Sequence, residues 1–145
     1  MADSAMFEIV YTCTDWYDGP RAGIANYCGQ PHLFASEWAD GRELDSDTFL
    51  LSPAPMDVFE LALEDWQIWR RWETAFHLGQ INPDTHPALP EDLRRHEELT
   101  NLLEGRLLVD EAATIRKRAD FQVRVDSTWS GQGFRPLEVL WSDPV

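Results

Sequence analysis

Between Met56 and Gly79 the chain reads MDVFELALEDWQIWRRWETAFHLG and places three of its seven tryptophans, Trp66, Trp69 and Trp72, two turns of helix apart at most. Turned at about 100° per residue, Val58, Phe59, Leu61, Ala62, Leu63, Trp66, Ile68, Trp69, Trp72, Ala75 and Phe76 fall in one arc covering roughly two thirds of the circumference. A helix with so wide an apolar arc must be covered on most sides, so the rest of the chain is expected to pack around it. Pro53 and Pro55 block helix upstream, and Asp57 with Glu60 three residues on reads as a capping box. Gly79 supplies the stop, because a residue past a helix end commonly needs a positive φ.

Two carboxylates interrupt the arc. Asp65 lies between Trp72 and Phe76 on the wheel, and Glu73 between Ala62 and Trp66, with His77 one turn further on. A buried carboxylate requires a donor or a raised pKa. One reading pairs these acids with Arg70, Arg71 or an arginine from a neighbouring strand. The other makes Asp65, Glu73 and His77, with Trp66 and Trp69, a pocket that handles protons.

Before the helix, alternation marks strands at 6–16, Gly23–Cys28, His32–Ala39 and Thr48–Leu51, with turns at Tyr17–Arg21 and Gly29–Pro31. After it, Pro83, Pro87 and Pro90 impose an irregular connection, and a second helix opens at Pro90. Its Leu93, Leu99, Leu103 and Leu107 share a face with His96, which therefore reads as a half-buried core histidine. Ala119–Asp126 alternates with one dry and one wet face, and Leu137, Val139 and Trp141 form a last strand, placed at a sheet edge by Pro136. The order of four strands, two helices and two strands, with short early connections, predicts a single α+β domain over residues 1–145. Its sheet is expected to be mainly antiparallel, curled or barrel-like, with both helices packed on one face or end.

Chemistry is sparse in the sequence. It holds no nucleophile elbow, phosphate loop or zinc-protease motif, and its four histidines are not at ligand spacing with a cysteine. No metal and no cofactor is therefore expected. Cys13 and Cys28, on adjacent strands, are expected to be reduced and core-packed, a single bridge being geometrically open. A second polar group, Asp15, Asp18, Arg21 and His32, is expected to converge at one end of the strand meander, where loops build sites.

The net charge of −14 disfavours direct binding to nucleic acid, whose affinity comes from neutralised phosphates. Nine acidic residues against one arginine in Glu37–Asp65 make Glu43, Asp45 and Asp47 a docking face for a basic protein partner, or else a solvated surface. No stretch reaches the ~20 apolar residues of a membrane span, and the start of the chain lacks the pattern of a signal peptide, so a soluble cytoplasmic protein is expected. The leading expectation is a small, acidic, tryptophan-rich protein-binding module of inhibitory or immunity type and not an enzyme. The alternative is a small-molecule binding or hydrolase-like domain with a Trp-lined pocket using Glu73 and His77. The oligomeric state is not written in the sequence.

Overall fold

The computed structural model describes residues 6–16, 19–37, 48–124 and 134–144. Six antiparallel strands close into a barrel in sequence order: β1 (Glu8–Trp16), β2 (Pro20–Tyr27), β3 (Gln30–Ser36), β4 (Thr48–Pro53), β5 (Ile115–Val123) and β6 (Leu137–Ser142). Between β4 and β5 the chain forms two helices, α1 (Met56–His77) and α2 (Leu93–Leu103). This is the α+β, barrel-like arrangement expected from the strand and helix order. No helix among the described residues is long and apolar enough to cross a membrane.

The alternation of each strand sorts its residues between two cores. Inside the barrel, Ala25, Phe34, Phe49, Leu51 and Val139 are buried together with Val10 and Phe121 beside them, so all six strands contribute. Phe34, Phe49, Phe121 and Trp141 fill its centre, with every pair of ring centroids 5.6–6.1 Å apart. Edge and tilted contacts of this kind suit the aromatic quadrupole. On the outer face, Ile24 of β2 and Leu33 of β3 pack against Val58 and Ala62 of α1 and Leu103 of α2. The helices thus cover the β1–β3 side, and Ile68, Leu99 and Ala88 form a small third core between them and their connection.

Several boundaries depart from the sequence reading for identifiable reasons. The β2–β3 turn is Cys28–Gly29, at φ 54° and 77°, and Gln30 and Pro31 already belong to β3. That two-residue geometry suits the strand twist but strains a cysteine. The Glu8 carboxylate compensates by accepting from the Cys28 and Gly29 amides at 3.0 and 2.7 Å. Cys28 is consequently exposed and not core-packed. Cys13 lies opposite Gly23, five residues along β2 from Cys28. At about 3.3 Å per residue, that separation is more than twice the Cα distance a disulfide spans.

Strand β5 begins at Ile115, four residues before the expected start, because Arg116, Lys117 and Arg118 conceal its pattern. Arg116 pairs with Glu37 and Lys117 with Asp143, which places these charges at the sheet surface and barrel end. Strand β6 is not an edge: Glu8↔Val139 and Ile9↔Glu138 close the barrel, and Pro136 precedes the pairing, so its missing amide removes no ladder bond. The last residues of the expected strands His32–Ala39 and Ala119–Asp126 lie outside the described residues.

Helix α1 has no capping box; Asp57 accepts from the next amide, Val58, at 2.9 Å and pairs with Arg106 at 2.6 Å. Its end is a Schellman motif, with the Gly79 amide bonded to Phe76 O at 3.0 Å and the Gln80 amide to Ala75 O at 2.9 Å. Gly79 takes the positive φ of 74° that the motif demands. Helix α2 starts at Leu93, after a turn at Pro90–Asp92, and stops before Gly105, so Leu107 is not on it.

Candidate functional site

The site is made possible by the way β1 bends. Its register against β2 slips between Val10 and Thr12, between Cys13 and Asp15, and between Asp15 and Trp16. Bulges coil a strand and re-aim its side chains, so the consecutive residues Thr12 to Trp16 all reach one cavity. Gly23 allows the strands to close up there, since a Cβ at that position would stand 2.1 Å from Thr12 O. The buried Thr12 replaces a disturbed ladder bond by accepting from the Ile24 amide at 3.0 Å.

This cavity, of about 420 Å³, lies between β1, α1 and α2. Trp66 and Trp69 from α1, Trp16 from β1 and Phe134 form aromatic walls, and Ala62, Leu103 and Leu107 add aliphatic surface. Its volume falls within the ~300–1,000 Å³ of small-molecule sites, which are mainly apolar with a few placed polar groups.

Its polar lining is Thr12, Thr14, Asp15, Asp65, His86 and His96, and of these Asp65 and His96 face one another from α1 and α2. The Asp65 carboxylate and His96 Nδ1 are 2.7 Å apart, with both side chains about a quarter exposed, at 27% and 22%. An ionised carboxylate only accepts, so Nδ1–H donates and the bond orients the imidazole, whose Nε2 is an acceptor when the ring is neutral. Two exposed ion pairs hold the helices in this register: Arg95 to Glu64 at 2.7 and 2.8 Å, and Arg71 to Asp92 at 3.0 Å. Both draw the Glu64 carboxyl below its usual range and the Arg71 guanidinium above its own, through hydrogen bonding with Arg95 and Asp92 respectively.

Cys13 also lines the cavity, half-buried. Burial pushes its thiol up to about 11, against the smaller effect of its hydrogen bond to Asp15 O at 3.5 Å. It is therefore a neutral thiol at physiological pH, and the nucleophile is the thiolate.

Glu73 is 7% exposed and does not line this cavity. Its Oε1 accepts from Arg70 Nη1 at 2.5 Å and its Oε2 from the Phe134 amide at 2.9 Å, while Arg70 Nη1 also donates to Phe134 O at 2.5 Å. Glu73 and Arg70 thus grip both polar atoms of one residue's backbone and hold the Phe134 ring in the cavity wall. Burial draws the Arg70 guanidinium below its usual value, with Glu73 opposing it.

The structure separates other residues that the sequence groups together. His77 is exposed at the end of α1, with its ring against Phe76, and does not join Glu73. Asp15 lies on the cavity, opposite Ala22, whereas His32 is opposite Ala25, buried against the Tyr27 ring with Nδ1 2.8 Å from Gln30 O. Arg21 is half-buried on β2, beside Ala22. Asp18, Glu43, Asp45 and Asp47 lie outside the described residues. Sequence reasoning misses His96 as a site residue because its partner is 31 positions away on another helix, and misses Phe134 because no periodicity surrounds it. Trp16 carries a weak signal, as a large aromatic on the more polar face of β1.

Among the described residues, no group of three His, Cys, Asp or Glu side chains is placed to hold a metal ion. No protein-family model matches the chain, and no curated protein or solved structure matches it.

Proposed function

We propose that this protein binds a small organic molecule in the cavity between β1, α1 and α2, with His96 of the Asp65–His96 pair as the ligand's hydrogen-bond and proton acceptor. The observation that carries the reading is a carboxylate-oriented imidazole in the wall of an aromatic cavity of about 420 Å³. Aromatic walls supply affinity by burial, and the oriented imidazole supplies direction. Acid–base chemistry on the bound molecule is within the reach of such a pair. Covalent attack by Cys13 is disfavoured by its neutral thiol. A cytoplasmic location is part of this proposal, and two free cysteines are compatible with it.

The test is a screen of a fragment library by ligand-observed NMR against the parent protein, Trp69→Ala and His96→Ala. Support is a set of mutually competing fragments that bind roughly tenfold more weakly once the indole is removed, the scale of one lost aromatic contact. Fragments indifferent to both substitutions would place the binding site elsewhere. A protein-docking role is favoured by one separate observation, the −14 charge and its concentration in Glu37–Asp65. It is compatible with an occupied cavity and has its own test below.

A further inference from the structure

The aromatic cavity also carries information about the charge of its ligand. Trp66 and Trp69 stand 4.9 Å apart at 37°, and Phe134 is nearly perpendicular to both, at 87° and 76°, with centroids 5.3 and 6.1 Å away. Trp16, 57% exposed, also meets Phe134, at 83° and 5.8 Å. Packed edge to face on one another, the four rings make a continuous aromatic wall for the cavity. A cation within about 6 Å of such faces is attracted by the ring quadrupoles, most strongly by tryptophan.

The charges of the wall have the matching sign. Asp15 and Asp65 line the cavity, and no lysine or arginine is among its described lining residues. Arg70, which donates to the Phe134 backbone, is engaged with Glu73 and is not among the lining residues. The net charge of −14 adds a long-range field that draws in cations and repels anions.

Aromatic faces do not accept strong hydrogen bonds, so a cation lying against them is desolvated at least cost when its charge is spread over alkyl groups. His96 and the two carboxylates are then available to a donor elsewhere in the molecule, such as a hydroxyl.

We propose that the ligand of this cavity is a small organic cation, a quaternary ammonium that carries a hydrogen-bond donor for His96, held against Trp16, Trp66, Trp69 and Phe134 and neutralised by Asp65 and Asp15. This rests on the small-molecule reading above and specifies its ligand class. A volume of about 420 Å³, near the lower end for such sites, restricts the ligand to a compact molecule.

The experiment compares choline and benzyltrimethylammonium with 3,3-dimethylbutan-1-ol, the uncharged isostere of choline, by NMR titration of the intact chain. The cations are expected to bind roughly tenfold or more tightly than the alcohol, the scale of a partly desolvated cation–π contact. Trp16→Leu, at the exposed rim, and Trp69→Leu should each weaken the cations severalfold more than they weaken the alcohol, with thermal melts confirming that both variants fold. A peptide carrying one trimethyllysine, against its unmodified form, separates the two sources of this chemistry. If it binds tighter than choline, the cage reads a modified side chain; if not, it reads a free cation. Equal affinity for choline and the alcohol would overturn the inference. So would neutral or anionic fragments occupying the cavity while both cations fail to bind, although the small-molecule reading would then stand. Failure of every fragment and every cation would sink both.

Discussion

Glu73 is a carboxylate inside an apolar arc, and its two oxygens have found two different donors, Arg70 and the Phe134 amide. Removing it leaves a half-buried guanidinium and a backbone amide without their acceptor, so Glu73→Ala is expected to lower stability by about 3–5 kcal/mol, the scale of a broken buried pair. Glu73→Gln keeps the shape and one acceptor oxygen and should fall between that variant and the parent. Chemical denaturation of the three proteins measures this, and variants as stable as the parent would mean that the carboxylate does not hold the Phe134 strap. Cys13 allows a prediction in pH. Because burial holds its thiol up to about 11, its thiolate fraction should rise roughly tenfold per pH unit through the alkaline range and level off only near that value. Mass-spectrometric mapping of iodoacetamide labelling should therefore find the exposed Cys28 modified first near neutrality, with Cys13 following as the pH climbs. Rapid labelling of Cys13 at neutral pH would instead indicate an activated thiol and would reopen covalent chemistry in the cavity.

At the scale of elements, the bulged strand β1 and the α1–α2 pair make the site, and both depend on close approach. Gly23→Ala would drive a Cβ into the Thr12 carbonyl, a backbone atom that cannot swing aside. We expect a loss of about 3 kcal/mol, toward the upper end for overpacking, together with displacement of the cavity wall. A melt equal to the parent's would show that β1 is free to move away. The elements themselves were legible in the sequence where periodicity is unmixed. Helix α1 ends near Gly79 as expected, and the first four strands and the last overlap the segments that alternation marks, although β2 begins at Pro20, inside the expected turn Tyr17–Arg21, and β3 at Gln30, inside the expected turn Gly29–Pro31. What escaped has physical causes. The basic run Arg116–Arg118 hides the start of β5, since a strand whose charges pair with Glu37 and Asp143 shows little alternation in hydrophobicity. Asp65 was readable as a carboxylate in need of a partner, but a wheel contains one helix and cannot reveal that the partner is His96 on the next. For Glu73 the expected arginine is there, Arg70 on the same helix, whereas its second donor, the Phe134 amide, lies far along the chain and beyond any wheel.

For the molecule as a whole, charge and cavity make separate predictions. If the acidic stretch docks a basic partner, reversing Glu43, Asp45 and Asp47 together should slow association and flatten its salt dependence, because peripheral charges act mainly on the on-rate. The fold should change by no more than about ±0.5 kcal/mol per substitution. Stopped-flow association with a partner recovered from cells decides this, and an unaltered on-rate would make the stretch a solvated surface. The cavity is tested most directly through the tryptophans that surround it, since each indole N–H gives its own signal in a ¹H–¹⁵N spectrum. Trp16, Trp66 and Trp69 line the cavity, whereas the Trp72 and Trp141 N–H groups are held by Thr85 Oγ1 and Asn26 O, both at 2.8 Å. On titration with the tightest-binding fragment, the signals of Trp16, Trp66 and Trp69 are expected to shift together and saturate on one curve, while those of Trp72 and Trp141 stay nearly fixed. Saturable shifts at Trp72 or Trp141, with the three cavity indoles unmoved, would contradict the assignment of the cavity as the binding site.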